Sequence, residues 1–198
     1  MSHLSLHRDG GVPRIDALGE REVRVYRLET GDREQVRSAT RYILAQLAGV
    51  RIALIAFDYG PKGKPYCRTD AALHFSVSHA ESVSLIAVTR VADVGVDIEA
   101  VRDVPRASAI ARRFFPPEQL DAIFQGHNSH ERFARAWTAA EATVKVRGAS
   151  IWEAGTPDPS VTVCDVTAPD GYVATVAVAS EAWELVERAL DLSILAYV

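Results

Sequence analysis

The sequence predicts an α+β protein, and three observations carry that expectation. Short segments with period-two apolar alternation recur along the chain, among them Val23 to Leu28 and His74 to His79. Longer segments with helical apolar spacing stand among them in both halves, without the strict strand-helix alternation of a parallel α/β fold. Near the midpoint lies a short acidic strand, Gly95-Val96-Asp97-Ile98-Glu99, with apolar neighbours. The natural division is two mixed halves, residues 1–94 and 95–198, with residues 1–20 as a loosely attached arm.

At 198 residues the chain can bury one core, or two smaller ones of about 100 residues each. A net charge of −4 and a pI near 5.9 argue against a general nucleic-acid or membrane-surface binder, so an anionic ligand must be held locally. Cys67 and Cys164 are too few for a disulfide scaffold, and MSHLSLHRDGGVPRIDALGE has no apolar signal core. Both point to the cytoplasm. The longest apolar runs are far shorter than a bilayer crossing.

In order, Gly10, Gly11 and Pro13 break any pattern in the arm. Val23 to Leu28 reads as a strand, and Gly31-Asp32 turns into a helix from Arg33 to Ala48 with Val36, Ile43, Leu44 and Leu47 inward. Arg33, Arg37 and Arg41 repeat at i, i+4, i+8, forming either a solvated face or a basic stripe. Ile52 to Phe57 reads as a strand. The following GPKGKPY, residues 60–66, is too rich in Gly and Pro for a regular element; its Lys62 and Lys64 suit an anion, a flat ring or a surface turn.

His74 to His79 alternates, so Phe75 and Val77 share one face and Ser76 and Ser78 the other. Ser78 and His79 therefore face opposite ways and form no catalytic dyad. Ser82 to Thr89 reads as a buried strand, which a turn at Ala92-Asp93 joins to Val94–Glu99 as a hairpin. Helices follow at Arg106 to Phe115 and from Pro117 to Phe124. The next runs from Asn128, with Glu131 as a capping partner, to a stop at Gly148, with Phe133, Ala136, Trp137, Ala140 and Val144 as its buried stripe. Strands at Val161 to Val166, Tyr172 to Ala179 and Leu192 to Val198, with a short helix at Glu181 to Ala189, complete the expectation.

Two features carry chemistry. Asp97 and Glu99 share a strand face, so each raises the other's pKa unless a hard metal ion or an arginine offsets the charge; a solvated strand edge is the plainer alternative. Glu141 lies at the margin of its helix's apolar stripe with Lys145 one turn on, where ordinary helix support competes with a catalytic role.

Taken together, a GKP loop, a strand ending in SH, GVDIE, RRFF and WTAAEATVK resemble the 4′-phosphopantetheinyl transferases, and more closely the surfactin-synthetase (Sfp-like) type. The resemblance runs from about Arg33 to Gly148. It implies two pseudo-symmetric α+β halves packed as an intramolecular pseudodimer, working as a monomer. It also implies magnesium-dependent transfer of 4′-phosphopantetheine from coenzyme A to a serine of an acyl or peptidyl carrier protein, releasing adenosine 3′,5′-bisphosphate. By the family pattern Asp97, Glu99 and Glu141 match its metal-binding carboxylates and Lys145 its phosphate-contacting lysine. Ser78 and His79 match the contact to the coenzyme's 3′-phosphate side, and Lys64 and Pro65 the loop beside the adenine. Glu141 is the candidate base, and both it and Asp97 are expected at a cleft edge.

The chain departs from that pattern twice. Ala140 stands where the family carries a lysine, which leaves Lys62, Arg102 or Arg113 to supply the missing cation. The basic segment before the first helix is short, which leaves Arg37 or Arg41 for the 3′-phosphate. The alternative these departures define is a degenerate homologue that binds coenzyme A or a carrier protein with weak or no transfer.

Overall fold

In the computed structural model, which describes residues 14–149 and 159–197, strands and helices occur in both halves of the chain, as the α+β expectation requires. The strands are β1 (Glu22–Leu28), β2 (Phe57–Tyr59), β3 (Pro65–Cys67), β4 (His74–Ala80), β5 (Val83–Thr89), β6 (Val94–Ala100), β7 (Thr162–Val166), β8 (Tyr172–Val178) and β9 (Glu184–Ala189). The helices are α1 (Arg33–Ala48), α2 (Ala107–Phe114), α3 (Pro117–Phe124) and α4 (Ser129–Val146).

Four layers result. One sheet has the order β4-β5-β1-β9, antiparallel except for the parallel β1–β9 pair. Alternation on β1 sends Tyr26 and Leu28 toward α1, where Ala39, Tyr42, Ile43 and Leu44 meet them. Its other face, with Val23, Val25, Leu85 and Ala87, packs on Val94, Val96, Ile98, Val176 and Val178 of a second, antiparallel sheet ordered β6-β8-β7. The far face of that sheet is covered by α4, through Ala142 and Val146 against Ala177. The ribbon β2–β3 stands apart from both sheets.

The closeness of α4 to β6 has a local cause. A Cβ on Gly95 would stand 2.0 Å from the Ala142 carbonyl oxygen and 2.9 Å from the Val146 amide nitrogen, so this position accepts no side chain while the helix stays in place. The helix answers with small residues. Its buried positions are Phe133, Ala134, Thr138, Ala142 and Val146, a stripe rotated from the expected one, with Thr138 hydrogen-bonded to Thr175 of β8 at 3.0 Å. Ala136 and Trp137 turn instead to α2 and α3, where Trp137 packs edge-on to Phe114 and stacks with Phe133.

Several local expectations are corrected. Residues 1–13 of the expected arm lie outside the described residues, but Ile15 and Leu18 pack on the first core, and the Asp16 and Ala17 carbonyls accept from the buried Arg24 guanidinium at 2.8 and 3.0 Å. Residues 52–54 form a 3-10 turn before the three-residue β2, and Pro65-Tyr66 begins β3 rather than ending a loop. β6 forms no hairpin with β5: its main-chain partner is β8, because the short turn at Ala92-Asp93 passes the chain between sheets. Glu184–Ala189 is a strand, not a helix, and Leu192–Tyr197 is a 3-10 helix, not a strand. Asn128 does precede α4, but it sits at φ 64° and its side chain makes no capping hydrogen bond.

Candidate active site

The sheets meet at a seam where β4 runs beside β6 and the contacts pass through side chains. The Val96 amide donates to Ser76 Oγ at 3.1 Å, and Ser78 Oγ donates to Asp97 Oδ1 at 2.8 Å. Period-two alternation turns Asp97 and Glu99 away from the apolar Val96 and Ile98 and toward α4. Lys145 reaches across from α4 to donate to Asp97 Oδ1 at 2.6 Å, Ser78 Oγ at 3.1 Å and the Val96 carbonyl at 3.2 Å. Asp97 is 2% exposed, so it lies inside the seam rather than at the expected cleft edge, whereas Glu99 and Glu141 are half-buried.

Charge crowding shapes the remaining carboxylates. Burial, then repulsion from Asp97 and Glu141, pushes the Glu99 carboxyl up, against attraction from Arg102 and Lys145. Burial, then Asp97, pushes Glu141 up, against Lys145 and a hydrogen bond from Trp137. Three acids thus compete for too little positive charge.

The family resemblance implies magnesium, and one atom tests the fit. Asp97 Oδ2 is buried with no hydrogen-bond partner, an acceptor left over beside two carboxylates that repel one another. Hard oxygen donors in charge excess suit a divalent cation, so the residues fit. Among the described residues, however, no three acids, histidines or cysteines form a ready metal cluster. Lys145 already holds Asp97 Oδ1, and magnesium commonly draws further ligands from phosphate and water.

Beyond the seam, a cavity of about 350 Å³ opens between α1, β4 and the ribbon. Arg33, Arg37 and Arg41 line one wall; Phe57, Tyr59 and Pro65 line another, and His79 points in from β4. The arginine stripe therefore faces a cavity rather than bulk water alone. Arg41 is partly committed, donating to the Ile55 carbonyl at 2.7 Å with its guanidinium 5.0 Å from the Phe57 ring centre. Arg33 and Arg37 are exposed.

The structure distributes the expected site residues among three places. Asp97, Glu99, Glu141, Lys145 and Ser78 meet at the seam; Arg37, Arg41, Pro65 and His79 line the arginine cavity. Lys62, Lys64 and, again, Pro65 line a second cavity of about 440 Å³ on the other side of the ribbon. Ser78 and His79 are thus separated, with the serine holding a carboxylate and only the histidine facing the arginines. Arg33 and Tyr59 were not among the expected residues. The i, i+4, i+8 repeat contains the signal for Arg33, while Tyr59 depends on the fold of the ribbon.

Comparison with known proteins converges on one family. A family model described as the 4′-phosphopantetheinyl transferase superfamily matches residues 93–192, just over half of the chain and inclusive of β6 and α4. A protein from Nostoc sp. named 4′-phosphopantetheinyl transferase HetI is 29% identical over 75% of this chain and 70% of its own length. The 4′-phosphopantetheinyl transferase AcpT of Escherichia coli K12 is 35% identical over 48% of this chain and 50% of its own. A Bacillus subtilis 4′-phosphopantetheinyl transferase is 30% identical over 54% of this chain and 48% of its own, so the chain spans about half the length of the last two. With its acidic strand and its Glu141–Lys145 helix inside the matched segment, the chain belongs to the 4′-phosphopantetheinyl transferase superfamily, a family of enzymes.

Proposed function

We propose that this protein transfers 4′-phosphopantetheine from coenzyme A to a serine hydroxyl of an acyl or peptidyl carrier protein. The observation that carries the reading is the seam itself: a buried, unpartnered Asp97 Oδ2 beside two carboxylates with raised pKa, with Lys145 on the same helix face as Glu141. Similarity to transferases over the segment that holds these residues supports it.

In this reading the arginine cavity takes the nucleotide end of the coenzyme. Arg33, Arg37 and His79 face the 3′-phosphate, Arg41 backs the wall, and Tyr59 and Pro65 border the base. Asp97, Glu99 and Glu141 would hold magnesium, which when bound would offset charge on the pyrophosphate. Glu141 accepts the carrier serine's proton, directly or through water. The serine oxygen bonds to the phosphorus bearing pantetheine as the bond from that phosphorus to the leaving adenosine 3′,5′-bisphosphate breaks. Lys145 stands to offset charge on the transferred group. Arg102, whose charge already acts on Glu99, is the stand-in for the lysine that Ala140 replaces.

The same reading assigns the chain to the surfactin-synthetase (Sfp-like) type, a cytoplasmic monomer with halves 1–94 and 95–198 packed as an internal pseudodimer. Two sheets packed face to face, each with one long helix on its outer side, support that arrangement, with β9 of the second half completing the first half's sheet. Incubation with coenzyme A, magnesium and a panel of apo carrier proteins tests the function by mass spectrometry. A carrier mass gain of one phosphopantetheine is expected. No gain across the panel rejects transfer, and calorimetric coenzyme binding without any gain would establish the degenerate homologue instead.

A further inference from the structure

Lys64 belongs by sequence to the loop expected beside the adenine, yet its side chain leads elsewhere. Its ammonium donates to the Val94 carbonyl at 2.9 Å and the Val146 carbonyl at 2.8 Å. Val94 is the first residue of β6, three before Asp97; Val146 is the last residue of α4, directly after Lys145. An ammonium has three donors, and the remaining side faces Asp93 Oδ1 at 3.9 Å. Two of the three donors are thus committed to main-chain carbonyls, and Asp93 Oδ1 is a longer-range charge partner beyond hydrogen-bond reach.

The stem is held as firmly as the head. A Cβ on Gly148, at φ 65°, would stand 2.7 Å from Lys64 Cβ, so the turn that ends α4 is shaped to the lysine's passage. Burial holds the amine below the ordinary lysine value, a penalty opposed by Asp93. The two carbonyls and the negative end of the α4 dipole favour the charge at this place.

We propose that Lys64 is a positioning residue: its ammonium clamps the β2–β3 ribbon, a wall of the arginine cavity, to the ends of β6 and α4 that bring Asp97, Glu99, Glu141 and Lys145 together. Lys64 then fixes the distance between the coenzyme's nucleotide end and the reacting phosphorus without touching the coenzyme. The clamp stands on the contacts of the free protein, and its catalytic consequence rests on the transferase reading.

Hydrogen–deuterium exchange on the full chain without ligand reads the clamp independently of activity. Lys64→Met should speed amide exchange about tenfold in the last turn of α4 and at the start of β6, leaving the middle of α1 unchanged. It should lower kcat about tenfold or more, with coenzyme Kd changed less than about threefold, because misplacement of reacting groups acts on the chemical step. Lys64→Arg, whose guanidinium can serve two carbonyls, should restore both. Lys64→Gln keeps a donor without the charge, and should give intermediate protection even where the Met variant folds poorly. Unchanged exchange at α4 and β6 in the Met and Gln variants, with coenzyme Kd weakened about tenfold, would overturn the proposal in favour of direct contact. Loss of protection in a protein whose wild type shows no transfer would uphold the clamp and reject the function.

Discussion

Lys145 and Asp97 form an ion pair of 2.6 Å across the seam, with the aspartate side chain 3% exposed and the lysine 30%. The pair links α4 to β6 at the point where function would place a cation. Removing the two partners should have unequal effects. Lys145→Met leaves a buried carboxylate with the Ser78 hydroxyl still donating to it, and should lower stability by about 3 kcal/mol. Asp97→Asn leaves the more exposed lysine able to reach water, and should cost less. The double variant should recover much of the Lys145→Met loss. Urea unfolding of the four proteins reads the cycle, and additive losses would show that the pair is not coupled.

Stability should depend on pH through Glu141 in a definite direction. Its folded pKa lies above the ordinary 4.5. The native state therefore binds protons more tightly than the unfolded chain, and this contribution falls as pH rises through the interval between the two values. Glu141→Gln should accordingly be more stable than wild type at about pH 7.5 and lose that advantage by about pH 4. Urea midpoints at both values check it. Glu22 and Asp70, whose carboxyls are held low, act in the opposite sense in both proteins and cancel from the comparison.

Gly95→Ala should be among the most damaging small substitutions in the chain. The added methyl meets main-chain atoms of α4, which cannot rotate aside, so the helix must move off β6. A loss of about 3 kcal/mol is expected, with transfer falling further because Glu141 and Lys145 move with the helix. Thermal unfolding and the carrier assay measure the two effects. A variant of wild-type stability would mean that α4 is less tightly seated.

The arginine cavity makes a separate prediction. Arg37→Ala should weaken coenzyme A by about 1.5 kcal/mol, whereas dephospho-coenzyme A, which lacks the 3′-phosphate, should bind wild type and variant almost alike. Calorimetry at two salt concentrations tests it. Equal losses for both ligands would move the 3′-phosphate away from Arg37.

What was legible in the sequence was mostly local. The alternation of β1, β4, β5 and β6 and the Asp32 start of α1 follow from side-chain period and capping, and Asp32 Oδ1 does accept from the Glu34 and Gln35 amides. The expected short helix at Glu181 to Ala189 includes ELVERA, whose Glu, Leu and Arg favour helices. A parallel partner more than 150 residues away, β1, makes it a strand instead. The α4 stripe differs from the expected one for a related reason: large residues usually mark the buried face, but here Gly95 brings β6 so close that Ala142 packs against it. At the site, residue types and spacing leave Asp97, Glu99, Glu141 and Lys145 open to plainer readings, and it is the family resemblance that singles them out. Neither the commitment of Lys64 to two carbonyls nor the separation of Ser78 from His79 is visible without distances.

The parallel pairing of β9 with β1 also has a consequence in time. The strand that completes the sheet under α1 consists of residues 184–189, so that sheet cannot close while the chain is still emerging through its middle. Until then β1 offers an open edge, and closing a loop of such length is entropically unfavourable. Folding of the first sheet should therefore lag synthesis of the second, and a nascent chain halted before Glu184 should remain sensitive to protease along β1 even after α4 has packed on β6.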